Sequence, residues 1–196
     1  MFAYIKGSLE EKASNYVVID VGGVGYKIFM SSNAINNIGE ISNIVKVHTH
    51  YYVREDNISL YGFLSSEELK MFELLLSVSG IGAKSAITML SNITPSDFAL
   101  AIITNNVAVL TKIPGIGAKS AQRIILELKD KLKDVDTTSK SEEVNVKQKE
   151  NENSKDAVDA LQILGYNKKE IEKAIQKIDI DEMSTEDIIK NALKLL

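Results

Sequence analysis

The spacing of hydrophobic and polar positions changes along the 196-residue chain. Over residues 1–64, apolar residues alternate with polar ones or form short runs that polar and glycine-containing breaks separate. This spacing predicts about five short β-strands, enough for a small barrel such as the oligonucleotide-binding (OB) fold. The break at Gly22, Gly23 and Gly25 predicts a turn or bulge.

From residue 65 to residue 133 the apolar spacing becomes helical, as in Leu69, Phe72 and Leu75. Ser65 stands where a helix cap is expected. The stretch Thr94-Pro95-Ser96-Asp97 combines a threonine cap, a proline at the first helical position and an acid three residues after the cap. Residues 107–111 are long enough for a short helical turn, and another helix begins near Ala118. This segment is therefore predicted to be entirely helical.

The remainder of the chain divides into a linker and a second helical part. Residues 134–154 have only valines as apolar residues, so we expect a flexible linker. In residues 155–196 a helix ends before Gly165, and Asn167 and Ser184 are predicted to cap two more. The fold class predicted is multi-domain α+β: an OB-fold β-barrel, a central α domain and a C-terminal three-helix bundle of the UBA-like kind.

One seven-residue sequence occurs twice in the central segment. Gly-Ile-Gly-Ala-Lys-Ser-Ala fills residues 80–86 and again residues 115–121. Glycines two residues apart allow a tight turn with positive φ, and they leave the backbone open to a bulky group. Each copy also precedes a helix, whose first N–H groups and positive dipole end can bind a phosphate. Lys84 and Lys119 suit an anion at that place.

Three other interpretations of the repeat fit less well. A dinucleotide fingerprint requires a third glycine where Ser85 and Ser120 stand, and it follows a strand. A Walker A loop requires glycine directly before the lysine, where Ala83 and Ala118 stand. Plain helix–helix turns would not require Lys-Ser twice. Two matched phosphate sites therefore favour a nucleic-acid backbone, contacted without sequence readout.

Composition and charge limit the remaining functions. The chain has no cysteine, which excludes disulfides and thiolate metal sites. The start MFAYIKGSLEE does not resemble a signal peptide, and no apolar run reaches the roughly 20 residues of a membrane span, so we expect a cytoplasmic protein without a membrane segment. The net charge is −4, and basic residues outnumber acidic ones only in the central segment.

Residues 65–133 resemble a pair of helix-hairpin-helix motifs, with hairpins at residues 78–82 and 113–117. Such pairs occur in ligases, nucleases, glycosylases and junction-binding proteins. The whole chain resembles the RuvA family, which binds Holliday junctions in bacteria. The resemblance is carried by MFAYIKG, VGGVGY, VREDNISLYGF, KIPGIGAKSAQRIILELKDK and ALQILGY. It implies an OB-fold tetramer core at residues 1–64, tandem helix-hairpin-helix motifs at 65–133, a linker at 134–154 and a motor-binding domain at 155–196.

The resemblance also assigns residues to the DNA. Both hairpins and the helices that follow them would bind its backbone. In the family, the loop between the last two strands is an acidic pin, and four pins meet where the strands cross and hold the junction open and square. Glu55 and Asp56 match the pin, and Arg54 beside them is a candidate contact to a phosphate at the junction centre. The candidate backbone contacts are Gly80, Gly82, Lys84, Ser85, Gly115, Gly117, Lys119, Ser120 and Arg123.

Partners follow from the same resemblance. The C-terminal domain would bind the RuvB ATPase through Leu161, Leu164, Tyr166 and Leu193, although helical spacing alone makes such residues core positions. Tyr166 follows the break at Gly165, so we expect it near the surface. The RuvC resolvase belongs to the wider complex. The chain would form a homotetramer, and the sequence does not decide between one tetramer on a junction and an octamer of two.

The sequence contains no recognisable catalytic site. We find no nucleophile–base pair, metal cluster or nucleotide loop, and His48 and His50 are interpreted as sheet residues. We therefore expect no cofactor and no metal, with ATP and Mg²⁺ used by the partner motor during branch migration in recombination, DNA repair and the SOS response. The competing hypothesis is a structure-specific nuclease or glycosylase with the same hairpins.

Overall fold

A computed structural model describes residues 2–55, 57–138, 152–180 and 183–196. The chain folds as two units. One contains Met1–Ser77 and Ile81–Asn92, and the other contains Val78–Gly80 and Ile93–Leu196.

The first unit is built on a closed five-stranded barrel in which the strands follow the order β1-β2-β3-β5-β4. All neighbouring strands are antiparallel except β3 and β5, which are parallel. The OB-like barrel predicted from the hydrophobic pattern is confirmed. The strands are β1 (Tyr4–Lys12), β2 (Tyr16–Val21), β3 (Val24–Phe29), β4 (Ile44–Val53) and β5 (Ile58–Phe63).

Alternation of side chains gives the barrel its core, because every second residue of a strand points inward. Val17, Ile19 and Ile28 are fully buried there. Gly62 lies where a side chain would not fit, since a Cβ would lie 2.4 Å from Ile28 Cγ2 and 2.6 Å from Val47 Cγ1. The core is therefore filled to the point at which even a methyl group is excluded.

The turn between β2 and β3 follows the prediction, with positive φ at Gly22 (64°) and Gly23 (89°). The sequence did not predict α1 (Ser32–Asn37), which Ser31 caps by accepting a hydrogen bond from the Ala34 amide at 3.1 Å. This six-residue helix is too short to show a helical period.

Two helices complete the first unit: α2 (Ser66–Leu76) and α3 (Ala83–Leu90). Ser65 caps α2 as predicted. The buried ring of Phe72 holds α2 on the barrel, with its centroid 4.9 Å from that of Phe63 and 5.1 Å from that of Tyr61. Burial also raises the pKa of the Tyr61 phenol, so this side chain stays neutral at physiological pH.

The predicted roles of the two histidines as sheet residues agree with the structure, since both His48 and His50 lie in β4. His50 has a further contact, because its Nδ1 lies 3.0 Å from Glu73 Oε1 on α2. The barrel therefore holds α2, the helix that leads into the first hairpin, through both aromatic and polar contacts.

Besides Val78–Gly80, the second unit contains the helices α4 (Pro95–Ile103), α5 (Val107–Thr111) and α6 (Ala118–Thr138). The predicted start of α4 is confirmed, since the Thr94 side chain accepts a hydrogen bond from the Asp97 amide. Lys129 of α6 donates to the Ile103 carbonyl at the end of α4, at 2.7 Å.

The predicted linker at residues 134–154 needs correction at both ends. Helix α6 continues through Thr138, and α7 (Glu152–Ile163) begins before residue 155. Sequence patterns locate the ends of a helix only to within a few residues, so they did not show these ends. The predicted flexibility of residues 139–151 concerns a segment outside the described residues.

The C-terminal helices are α7, α8 (Lys168–Ile175) and α9 (Thr185–Leu193), as predicted. Asn167 caps α8 with a full capping box, and Ser184 caps α9. Their core includes Ile171 and Ile188 and extends to Ala99 of α4, all fully buried. The three helices therefore share a core with the central segment.

Candidate nucleic-acid interface

The first hairpin, residues 78–82, connects α2 to α3. Val78 anchors it as a buried side chain, and Gly80 adopts a φ of +83° that side chains rarely allow. Gly82 is the N-cap of α3 and makes no side-chain capping hydrogen bond. A Cβ on Gly82 would meet nothing within 4 Å. The start of α3 is therefore an uncapped helix end with an open approach to its backbone.

The second hairpin, residues 113–117, connects α5 to α6 and repeats this backbone. Ile113 is buried as Val78 is, and Gly115 has a φ of +83°, the same value as Gly80. The Ala121 amide donates to the Gly117 carbonyl at 2.9 Å, as Ala86 does to Gly82 at 3.0 Å. A Cβ on Gly115 or Gly117 would also meet nothing within 4 Å. The repeated sequence thus folds into the same turn twice.

The polar side chains of the repeat lie beside these turns. Lys84, Ser85 and Lys119 are exposed, and Ser120 is half-buried. Within the described part of the chain, neither lysine forms an ion pair. Each helix start therefore combines backbone N–H donors with a lysine that pairs with no carboxylate among the described residues, which suits a phosphate.

Arg123, a predicted backbone contact, lies on α6 but next to the first hairpin. Its NH1 donates to the Ser79 carbonyl at 3.5 Å and would lie 3.6 Å from a Cβ on Gly80. Its Nε lies 3.9 Å from Glu127 Oε1. The guanidinium is still more than half exposed, with 58% of the side chain accessible, so it keeps donors that face solvent.

Glu127 is a residue that the sequence analysis missed. Its Oε2 accepts a hydrogen bond from the Ser79 amide at 3.0 Å. The two residues are 48 positions apart, and the sequence offers only the i, i+4 spacing of Glu127 from Arg123 as a signal. Together Glu127 and Arg123 bind the backbone N–H and C=O groups of Ser79 in the hairpin.

The loop between β4 and β5 contains the predicted pin. The Arg54 amide donates to the Asn57 carbonyl at 2.8 Å and closes the loop, and Glu55 at its tip is exposed. Arg54 Nε donates to the Tyr52 hydroxyl at 2.8 Å, and its guanidinium lies 5.1 Å from the centre of the same ring. Asp56 lies outside the described residues. The roles of pin and phosphate contact stay predictions.

The structure corrects the expected position of the motor-contact residues. Leu161 and Leu164 are fully buried and Tyr166 is 8% exposed, which leaves only Leu193 half-buried. The expectation that Tyr166 lies near the surface was wrong. Gly165 has a φ of +84°, and the Tyr166 amide donates back to the Leu161 carbonyl at 3.2 Å. This Schellman turn folds the Tyr166 ring onto the helix it follows.

Among the described residues, no single helix is long and apolar enough to cross a membrane, although α3 and α4 taken together reach that length and composition. The same residues contain no group of three or more histidine or acidic side chains that could hold a metal ion.

Comparison with protein families matches three parts of the chain. Residues 1–62 match the RuvA N terminal domain, residues 72–130 match the SAM-like helix-hairpin-helix tandem, and residues 152–196 match the RuvA C-terminal domain. These matches confirm the order of domains that the sequence predicts.

Curated relatives match over their full length. A protein of Acetivibrio thermocellus named Holliday junction branch migration complex subunit RuvA is 53% identical, over 99% of this chain and 98% of its own. Proteins with the same name from Ruminiclostridium cellulolyticum and Clostridium tetani are 47% and 42% identical over the whole of this chain. The resemblance inferred from the sequence is confirmed: the chain belongs to the RuvA family.

Proposed function

We propose that this protein binds four-way (Holliday) DNA junctions by their structure, as a homotetramer, and brings the RuvB ATPase to them for branch migration. The observation that carries the proposal is the repeated hairpin. Two turns with the same φ of +83° each present an open helix start and an exposed lysine. The names of the full-length relatives supply the junction as the DNA substrate.

Backbone contacts of this kind do not distinguish one DNA sequence from another. Preference for a junction must therefore come from the arrangement of several subunits. A single subunit offers two hairpins, and linked weak sites gain affinity through effective concentration. Four subunits would offer two hairpins for each DNA arm, with the Glu55 tips near the crossing point, where their charge repels phosphates and keeps the strands apart.

The surface of the barrel supports self-association. Several large apolar side chains of the strands and the turns between them are exposed, which is uncommon for a barrel that stays monomeric. Some of them also lie opposite each other on neighbouring strands: Val53 is paired with Ile58, and Val21 is paired with Val24. In the first unit the exposed large apolar side chains are Phe2, Tyr4, Val21, Val24, Ile41, Ile44, Tyr51, Val53 and Ile58.

In this proposal the chain has no catalytic site and needs no cofactor, and ATP and Mg²⁺ act in the partner motor. The protein works in the cytoplasm, in recombination, DNA repair and the SOS response, with the RuvC resolvase in the wider complex. The C-terminal helices recruit the motor. Because Leu161, Leu164 and Tyr166 are buried, a direct contact through them would require the helices α7–α9 to rearrange.

The test is a band-shift titration of the pure protein with a labelled four-way junction and with a linear duplex of the same sequences. The proposal predicts that the junction binds at lower protein concentration and that the complex has the mass of a tetramer or an octamer. Equal affinity for both DNAs would contradict it. Cleavage of the junction with Mg²⁺ and no partner would instead favour the nuclease hypothesis.

A further inference from the structure

The two copies of the hairpin differ at one backbone position. Alignment of the repeats places Ser79 of the first copy opposite Pro114 of the second, directly before the glycine with positive φ. Proline has a fixed φ and no N–H group. Serine has neither property, so the first hairpin needs another means to fix its backbone and to satisfy one more donor.

Glu127 and Arg123 supply that means. The Ser79 amide donates to Glu127 Oε2 at 3.0 Å, and the Ser79 carbonyl accepts from Arg123 NH1 at 3.5 Å. The positions equivalent to these two side chains in the first repeat are Asn92 and Thr88, which cannot form such a pair of opposite charges. The contact is therefore a property of the first hairpin alone.

The charge of Glu127 makes its position unexpected. An acidic side chain next to a hairpin that binds phosphates should weaken binding by repulsion. Its side chain is 32% exposed, so solvent reduces this repulsion without removing it. The hydrogen bond that Glu127 accepts from the Ser79 amide can favour DNA binding by more than this repulsion disfavours it.

We propose that Glu127 is a positioning residue for DNA binding: it holds the Ser79–Gly80 backbone against α6 in the conformation that Pro114 gives to the second hairpin. Arg123 completes the contact and keeps Glu127 oriented. This proposal rests on the proposed DNA-binding function. It assigns to Glu127 an effect on affinity opposite in sign to the one its charge alone would have.

Equilibrium binding of a labelled four-way junction separates the two effects. Removing the acceptor in Glu127→Ala should weaken binding about three- to tenfold, since each first hairpin then lacks a hydrogen bond to a charged group. Glu127→Gln removes the charge but keeps an acceptor oxygen, so it should bind at least as tightly as the natural protein. Glu10→Ala removes an exposed acid of β1 and serves as the control for net charge.

A second variant tests whether the backbone conformation is what matters. Ser79→Pro in the Glu127→Ala background gives the first hairpin the residue that the second one carries. We expect it to restore most of the affinity, because the proline no longer needs an acceptor. Thermal unfolding of every variant identifies any that has lost its fold. If a Glu127→Ala variant does not fold, the single variants Glu127→Gln and Ser79→Pro are compared with the natural protein instead.

Amide hydrogen exchange gives a measurement that does not depend on DNA. The Ser79 amide should exchange about tenfold faster in Glu127→Ala than in the natural protein and return toward the natural rate in Glu127→Gln. Unchanged exchange, or Glu127→Ala binding the junction as tightly as Glu10→Ala, would overturn the proposal. If the natural protein does not prefer a junction, the proposed function fails, and exchange at Ser79 still decides the role of Glu127.

Discussion

Replacement of Gly82 and Gly117 by alanine should separate DNA binding from stability. A Cβ at either position meets nothing within 4 Å, so the folded protein has room for the methyl group. Gly82 has φ −98° and ψ 170°, which alanine adopts without strain. Loss of a glycine at an N-cap costs about 0.5–1 kcal/mol, and the reduced entropy of the unfolded chain offsets about the same amount. The free energy of unfolding should therefore stay nearly constant.

Binding should respond differently, because the methyl group occupies the space through which a phosphate reaches the helix start. Loss of one charge-assisted hydrogen bond corresponds to about 1.5–3 kcal/mol, or roughly a tenfold to hundredfold lower affinity for the junction. Fluorescence anisotropy with a labelled junction measures this change, and urea unfolding measures stability. Gly23→Ala is the converse control: it also adds a methyl group in open space, away from the hairpins, but its φ of +89° is strained for alanine, so it should lower stability while junction affinity stays constant. If Gly82→Ala and Gly117→Ala leave the junction affinity unchanged, a phosphate does not reach the helix starts through the space beside these glycines.

Three further predictions concern other parts of the chain. Gly7→Ala places a Cβ 2.0 Å from the Asp20 carbonyl oxygen, so urea unfolding should show a barrel destabilised by about 3 kcal/mol or more, and an unchanged midpoint would contradict the strand contact. Asn167→Ala removes the capping box of α8 and should lower stability by about 1 kcal/mol in the same assay, while junction affinity stays constant. Changing Glu55 and Asp56 to lysine should keep or raise total DNA affinity in a band-shift assay but reduce the preference for junction over duplex, and an intact preference would remove the pin from the mechanism.

Local signals made much of this fold predictable. Ser65, Thr94, Asn167 and Ser184 each cap the helix that follows, and each can be recognised within four residues of sequence. Alternation of apolar residues likewise marked the strands of the barrel, because one face of each strand is buried. The helix α1 was missed since its six residues bury only Ala34 and Ile35.

Contacts between distant positions were not predictable. The Glu127–Ser79 hydrogen bond joins residues 48 positions apart, and the i, i+4 spacing of Glu127 from Arg123 does not show that either side chain reaches Ser79. Tyr166 shows a different limit. The sequence correctly marked the break at Gly165, but a glycine with a φ of +84° can reverse the chain as well as end a helix, and here the reversal buries the ring.

The salt dependence of junction binding tests the central claim most directly. In the proposed function, both hairpins hold DNA by its phosphates through Lys84, Lys119 and the helix starts beside them. Measured with junctions of several sequences, the natural protein should show an affinity that falls steeply with salt. Changing both lysines to glutamate should weaken binding to every sequence alike and flatten the slope of log affinity against log salt, by roughly one for each phosphate that the protein no longer neutralises. An unchanged slope, or weakening for only some sequences, would contradict the account.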